Sequence, residues 1–171
     1  TSVICALQKT TLAIILETSL KVIGGQSEMD YKEIGDTIIL RVDPGEDIVA
    51  SIAQVCSECE VKLGTIMGIG ACDDVEIGIY LVDEQRYDRV TLKEELELTS
   101  LLGNVSTMNR EQYIHLHATF GNEKMEIKGG HLDRAIVSGT AEIFINIIAK
   151  TTGGLDREKS PETGINELRF N

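Results

Sequence analysis

Hydrophobic and polar positions alternate along this chain with the period of β-strands in most places, and with the period of a helix in one. The run Thr37-Ile38-Ile39-Leu40-Arg41-Val42 is apolar and β-branched, and predicts a strand. Asp43-Pro44-Gly45-Glu46 follows, with a capping aspartate, a proline suited to a first helical position and a glutamate three residues after the cap. That is a capping-box pattern and predicts a helix start. Ile48, Ile52, Val55 and Cys59 then recur along one stripe, with Val49 and Cys56 beside it, so an amphipathic helix ending near Gly64 is expected. Later strands are expected at Thr65 to Ile69, Val75 to Val82, Leu96 to Leu102, Tyr113 to Phe120 and Ala135 to Ile148, the last long or bulged. Gly103-Asn104 and Gly121-Asn122 read as interruptions. One helix among many strands predicts an α+β fold, a mostly antiparallel β-sheet packed around one main helix. From Thr151 the tail is polar and turn-rich, with Leu168 and Phe170 as its docking points.

A chain of 171 residues accommodates one domain with a substantial core. Residues 1–28 differ from the rest, carry few charges and end in the turn-like Gly24-Gly25-Gln26-Ser27-Glu28; Met29 then reads as a natural start. The expectation is an N-terminal extension over 1–28, an added leader or an alternative start, before a domain at 29–171; a native element packed on the domain is the other reading. Aromatic residues are 4% of the chain and Trp is absent, so Ile, Val and Leu must build the core. The formal net charge of −12 repels phosphate backbones and disfavours direct, tight DNA binding. No run approaches the roughly 18 apolar residues of a membrane span, and no basic segment precedes Leu12 to Leu16 as a secretory signal would require. Cys5, Cys56, Cys59 and Cys72 are too sparse for a disulfide scaffold, so a reduced, cytoplasmic setting is expected.

The candidate chemistry lies in the three histidines. In Tyr113-Ile114-His115-Leu116-His117-Ala118-Thr119-Phe120 the two-residue period puts His115 and His117 on one face with Tyr113 and Thr119. Ile114, Leu116, Ala118 and Phe120 take the other, core-facing side. Neutral imidazoles on one pleated face suit zinc and other borderline transition metals. His131 follows Gly129-Gly130, and two glycines let the backbone turn sharply and bring a third ring to the same spot. Three nitrogen ligands with an open fourth position describe a catalytic-type zinc site. Ser138, Thr140, Glu142 and Asn146 share the polar face of the last long strand, and Glu142 is a candidate catalytic group that orients an imidazole or activates a bound water. A merely solvated histidine face is the competing reading. Cys56-x-x-Cys59 falls inside the expected helix and reads as core packing. Gly68-Ile69-Gly70 lacks the lysine of a phosphate loop and reads as close strand packing. Glu97, between Leu96 and Leu98, is expected either at a solvated edge or facing inward.

Several of these segments occur together in one family. Leu40-Arg41-Val42-Asp43-Pro44-Gly45-Glu46-Asp47, Gly68-Ile69-Gly70-Ala71, Glu97-Leu98-Thr99-Ser100-Leu101-Leu102-Gly103-Asn104, His115-Leu116-His117, Gly129-Gly130-His131-Leu132 and Thr140-Ala141-Glu142 resemble the plants-and-prokaryotes-conserved (PPC) domain, in this order, from about Met29 to Phe170. The resemblance implies a compact α+β fold assembling as a homotrimer. It also implies that His115, His117 and His131 hold a metal, zinc or another divalent transition ion. The family's DNA-binding label descends largely from plant relatives that carry AT-hooks, and this chain has no Arg-Gly-Arg-Pro segment. In those relatives the sheet domain serves self-association and partner contact, a role Glu97 to Asn104 would share here. Three functions are expected in descending order: a trimeric metal-binding module acting through protein partners or DNA they supply; a metal-dependent enzyme with Glu142 as proton shuttle; and direct DNA binding.

Overall fold

A computed structural model describes residues 30–170. The expected extension and Cys5 therefore lie outside the described residues. Strands β1 (Asp30–Ile34) and β2 (Thr37–Val42) form a hairpin that leads into helix α1 (Ile48–Glu58). Four long strands follow: β3 (Val61–Leu81), β4 (Arg86–Met108), β5 (Glu111–Gly121) and β6 (Ile127–Lys150). A short hairpin of β7 (Arg157–Lys159) and β8 (Asn166–Leu168) closes the described chain. Every strand pairing is antiparallel, in the order β1-β2-β6-β3-β4-β5, and β5 pairs back onto β6. Strands β3, β4, β5 and β6 thus close on one another, which leaves β1 as the outer strand of the sheet. The α+β class with one main helix holds among the described residues.

Alternation sets the core. Ile38, Leu40 and Val42 of β2, Leu116, Ala118 and Phe120 of β5, and Ala141, Ile143 and Ile145 of β6 are all buried. Helix α1 buries Ile48, Ile52, Val55 and Cys56, with Val49 and Cys59 partly covered, and packs on β6. The buried Cys56 and Cys72 thiols are pushed up to about 12 by desolvation, so they pack as small apolar groups. Glu97 points to solvent between buried Leu96 and Leu98.

The structure corrects several boundaries. The helix is capped by Asp47, not Asp43: Asp47 Oδ1 accepts from Val49 N at 3.0 Å and from Ala135 N of β6 at 3.2 Å. That cap both starts the helix, contributing about 1 kcal/mol, and ties it to the sheet. Asp43 to Glu46 instead forms a separate turn in which Glu46 Oε2 accepts from Asp43 N, with Gly45 at φ 88°. The helix ends at Glu58, because Glu60 is left-handed at φ 56° and β3 begins at Val61.

Gly70 and Gly103, expected to end strands, do not, while the close strand packing expected of Gly68 and Gly70 is found. Gly68, Gly70 and Gly103 lie inside β3 and β4, which is why the two expected strands on either side of Gly70 are one. A Cβ on Gly70 would stand 2.5 Å from Thr140 O, and one on Gly103 would overlap the His115 carbonyl oxygen. These positions are bare so that neighbouring strands can close in. Asn122 does make the expected turn after β5, accepting from Lys124 N and Glu126 N at 3.0 Å. The tail is more ordered than its polarity predicts: Arg157 is buried, Leu168 is half-buried in β8, and Phe170 stays 74% exposed.

Candidate metal centre

Strand pairing fixes where the three imidazoles lie. His115 stands opposite Asn104 of β4, and His117 stands opposite Leu102 on one side and His131 of β6 on the other. All three sit on the outer face, because the alternate residues Leu116, Ala118 and Leu132 are buried. Ring centroids are 5.1 Å apart for His115 and His117, 5.2 Å for His115 and His131, and 5.6 Å for His117 and His131. One nitrogen from each ring lies within 4.8 Å of the others.

The double glycine works differently from a turn. Gly129 and Gly130 are regular β6 residues squeezed between β5 and β3, and a Cβ on Gly130 would stand 2.5 Å from Gly78 O. Close approach, rather than a bend, brings His131 into register with His117. Tyr87 completes that side, its ring 4.8 Å from the His131 ring.

Burial lowers the His115 pKa from 6.5 to about 4, helped by the positive charges that His131, Arg157 and His117 would place beside it. Burial lowers His131 as well, partly offset by Asp133. Both rings are therefore neutral near pH 7, the form in which a nitrogen lone pair can ligate. His131 Nδ1 is buried and has no hydrogen-bond partner. An orphaned buried nitrogen is costly unless something accepts its lone pair or proton. The donor set and this orphan atom both fit a divalent transition ion.

Acid titration of the metal-free protein follows from the same burial. Between pH 6.5 and about 4 the unfolded chain takes up a proton at position 115 that the folded chain refuses. Stability is full above that window and falls as the pH drops through it. Melts of chelator-treated protein are expected to show this decline, and His115→Gln to flatten it; identical slopes in the two proteins would contradict the burial argument.

Glu142 does not join the group within one chain. It pairs with Arg41 and Ile69 and lines a cleft with Ile69, Thr99 and Thr140. Counting from His117 through Leu102 and Met67 to Phe144 crosses three strand spacings, roughly 14 Å, before reaching the neighbourhood of Glu142. Four other groups flank the histidines. Tyr113 shares their face on β5, while Asn104 and Ser106 of β4 hold Arg157 of the tail at 2.8 Å each. Only Tyr113 was legible, from the pleat.

Comparison with known proteins agrees with the fold. Residues 29–149 match the family model of the Plants and Prokaryotes Conserved (PCC) domain. A metal-containing protein of Archaeoglobus fulgidus is 30% identical with a TM-score of 0.73, covering 84% of this chain and 99% of that one. A plant- and prokaryote-conserved protein of Pyrococcus horikoshii is 29% identical with a TM-score of 0.72, covering 85% and 97%. A protein of Bacteroides thetaiotaomicron, provisionally named as DNA-binding, is 31% identical with a TM-score of 0.78, covering 83% and 97%. Among curated proteins, none matches the chain significantly.

Proposed function

The chain belongs to the Plants and Prokaryotes Conserved domain family, and from that premise we propose that it is a non-enzymatic, trimeric metal-binding module. His115, His117 and His131 hold one zinc or similar divalent transition ion. The observation that carries this reading is the convergence of three imidazoles, one with an orphaned buried nitrogen, on the outer face of a rigid sheet. The metal-containing relative at 30% identity supports it. The distance from Glu142 to the cluster favours binding over water activation, since a proton shuttle must lie within hydrogen-bond reach of its water. Calorimetric titration of chelator-stripped protein with zinc is expected to saturate at one ion per chain; no uptake would overturn the reading.

Assembly follows from the same face. Around one row of the sheet stand Phe144, Met67, Leu102 and then His117. The first three are 41%, 57% and 58% exposed, and Ile69 and Ile148 extend the patch at 59% and 58%. A contiguous apolar face of this kind is typical of a subunit interface. Between Met67, Leu102, Phe144 and Asn146 runs a groove of about 490 Å³ that a second copy would fill. The metal site therefore lies at the rim of a subunit boundary. Leu102→Glu would place a carboxylate in this interface and is expected to shift the sedimenting species from trimer to monomer. An unchanged mass in the variant, or a monomeric unmodified protein, would contradict the assembly.

The net charge of −12 argues against the phosphate backbone as a direct ligand. Any DNA association of this protein runs through partners. No helix among the described residues is long and apolar enough to cross a membrane.

A further inference from the structure

We propose that the histidine cluster takes a small oxyanion, a carboxylate or phosphate, and that Arg157 selects for its negative charge. This rests on His115, His117 and His131 holding an ion. Arg157 is only 7% exposed, yet all its hydrogen bonds go to neutral acceptors. Nε donates to Ser106 Oγ at 2.8 Å, Nη2 to Asn104 Oδ1 at 2.8 Å and Nη1 to the Asn166 carbonyl at 2.7 Å. The guanidinium carbon also lies 4.7 Å from the Tyr113 ring centre. No carboxylate among the described residues pairs with it, whereas Arg41, Arg86, Arg89, Arg134 and Arg169 each meet one.

Acid is not scarce in this chain, which has 28 Asp and Glu against 16 Lys and Arg. A buried cation without a counter-ion is costly, so its isolation here points to an anion supplied from outside. The anchors place that cation beside the metal centre: Asn104 stands opposite His115, and Ser106 opposite Tyr113. Asp133, two residues beyond His131 in sequence, is occupied by Arg89 at 3.1 and 3.3 Å. An ion on three neutral imidazoles adds two further positive charges with no protein carboxylate to balance them. Of the five N–H groups on the guanidinium, three are taken by these bonds and two remain for a ligand. A small oxyanion at the open coordination position satisfies both centres.

Cobalt(II) provides the test, because its visible absorption reports its ligands directly. The chelator-stripped full chain is loaded with cobalt(II), then titrated in separate arms with sodium acetate and with inorganic phosphate. A saturable spectral change with at least one of them is expected. Arg157→Met should keep the cobalt(II) spectrum and weaken that anion by roughly tenfold or more, the loss of a charge-assisted contact. Should that variant not fold, Asn104→Asp supplies the missing counter-ion within the protein and predicts the same weakening. Cobalt(II) bound but indifferent to both anions, or anion affinity unchanged in the variants, would overturn the proposal alone. Failure to take up cobalt(II) at all would overturn the three-histidine reading beneath it.

Discussion

Replacing His117 by alanine is expected to strip the protein of its metal while leaving the fold in place. His117 is the exposed member of the cluster, whereas its neighbours Leu116 and Ala118 are buried. Loss of an exposed polar side chain shifts stability by about 0.5 kcal/mol or less, so metal-free variant and metal-free parent should melt together. Metal affinity is another matter. Mutating groups that merely orient a ligand costs roughly 10- to 100-fold, and deleting a ligand outright costs more. After dialysis against a weak chelator, bound metal should fall from one ion per chain to a small fraction of that. Full retention would mean that the ion, if present, sits elsewhere. Coincident melts are essential to the interpretation, because they separate loss of a ligand from loss of the scaffold.

Gly103→Val is expected to destabilise the protein by about 3 kcal/mol, near the top of the range for overpacking. Any Cβ at this position overlaps the carbonyl oxygen of His115, and Leu116 Cδ2 stands close by. Backbone cannot rotate aside as a flexible side chain would, so β4 and β5 must part where they are paired. The melting temperature should drop by roughly 10 °C for a domain of this size. Since the parting strand carries His115, metal binding should weaken with it, unlike a remote core variant of equal cost. A destabilisation under about 1 kcal/mol would show that the strands have slack, and would undercut the claim that strand closure positions the site.

These two expectations also separate what local pattern reveals from what only packing decides. His115 and His117 share a face because a pleat alternates, and that follows from adjacent residues alone. The same alternation placed Leu116, Ala118 and Phe120 in the core and Tyr113 beside the histidines. His131 reaches the cluster through Gly129-Gly130 as expected, but by close approach to Ala118 and Gly78 rather than by a bend. A glycine in a sequence does not say whether it frees φ or makes room, and here the distinction was non-local. The same ambiguity turned Gly70 and Gly103 into false strand ends.

The helix start moved for a related reason. Asp43 and Asp47 both offer a capping side chain, but Asp47 also accepts from Ala135, and that contact is 88 residues away in sequence. Arg157 was invisible because its tail segment has no periodicity; its burial depends on Ser106 and Asn104 of a distant strand. Glu142 was offered to the histidines from the polar face it shares with Ser138, Thr140 and Asn146, but one face of a 24-residue strand spans too great a length to imply contact. Faces are local, and distances along them are not.

X-ray absorption at the metal edge of zinc-loaded protein bears most directly on the shared ion. Three imidazole nitrogens at about 2.0–2.1 Å, with oxygen neighbours completing the shell, is the result expected for His115, His117 and His131. Sulfur scattering near 2.3 Å, the signature of cysteine ligation, or fewer than three imidazoles would contradict it.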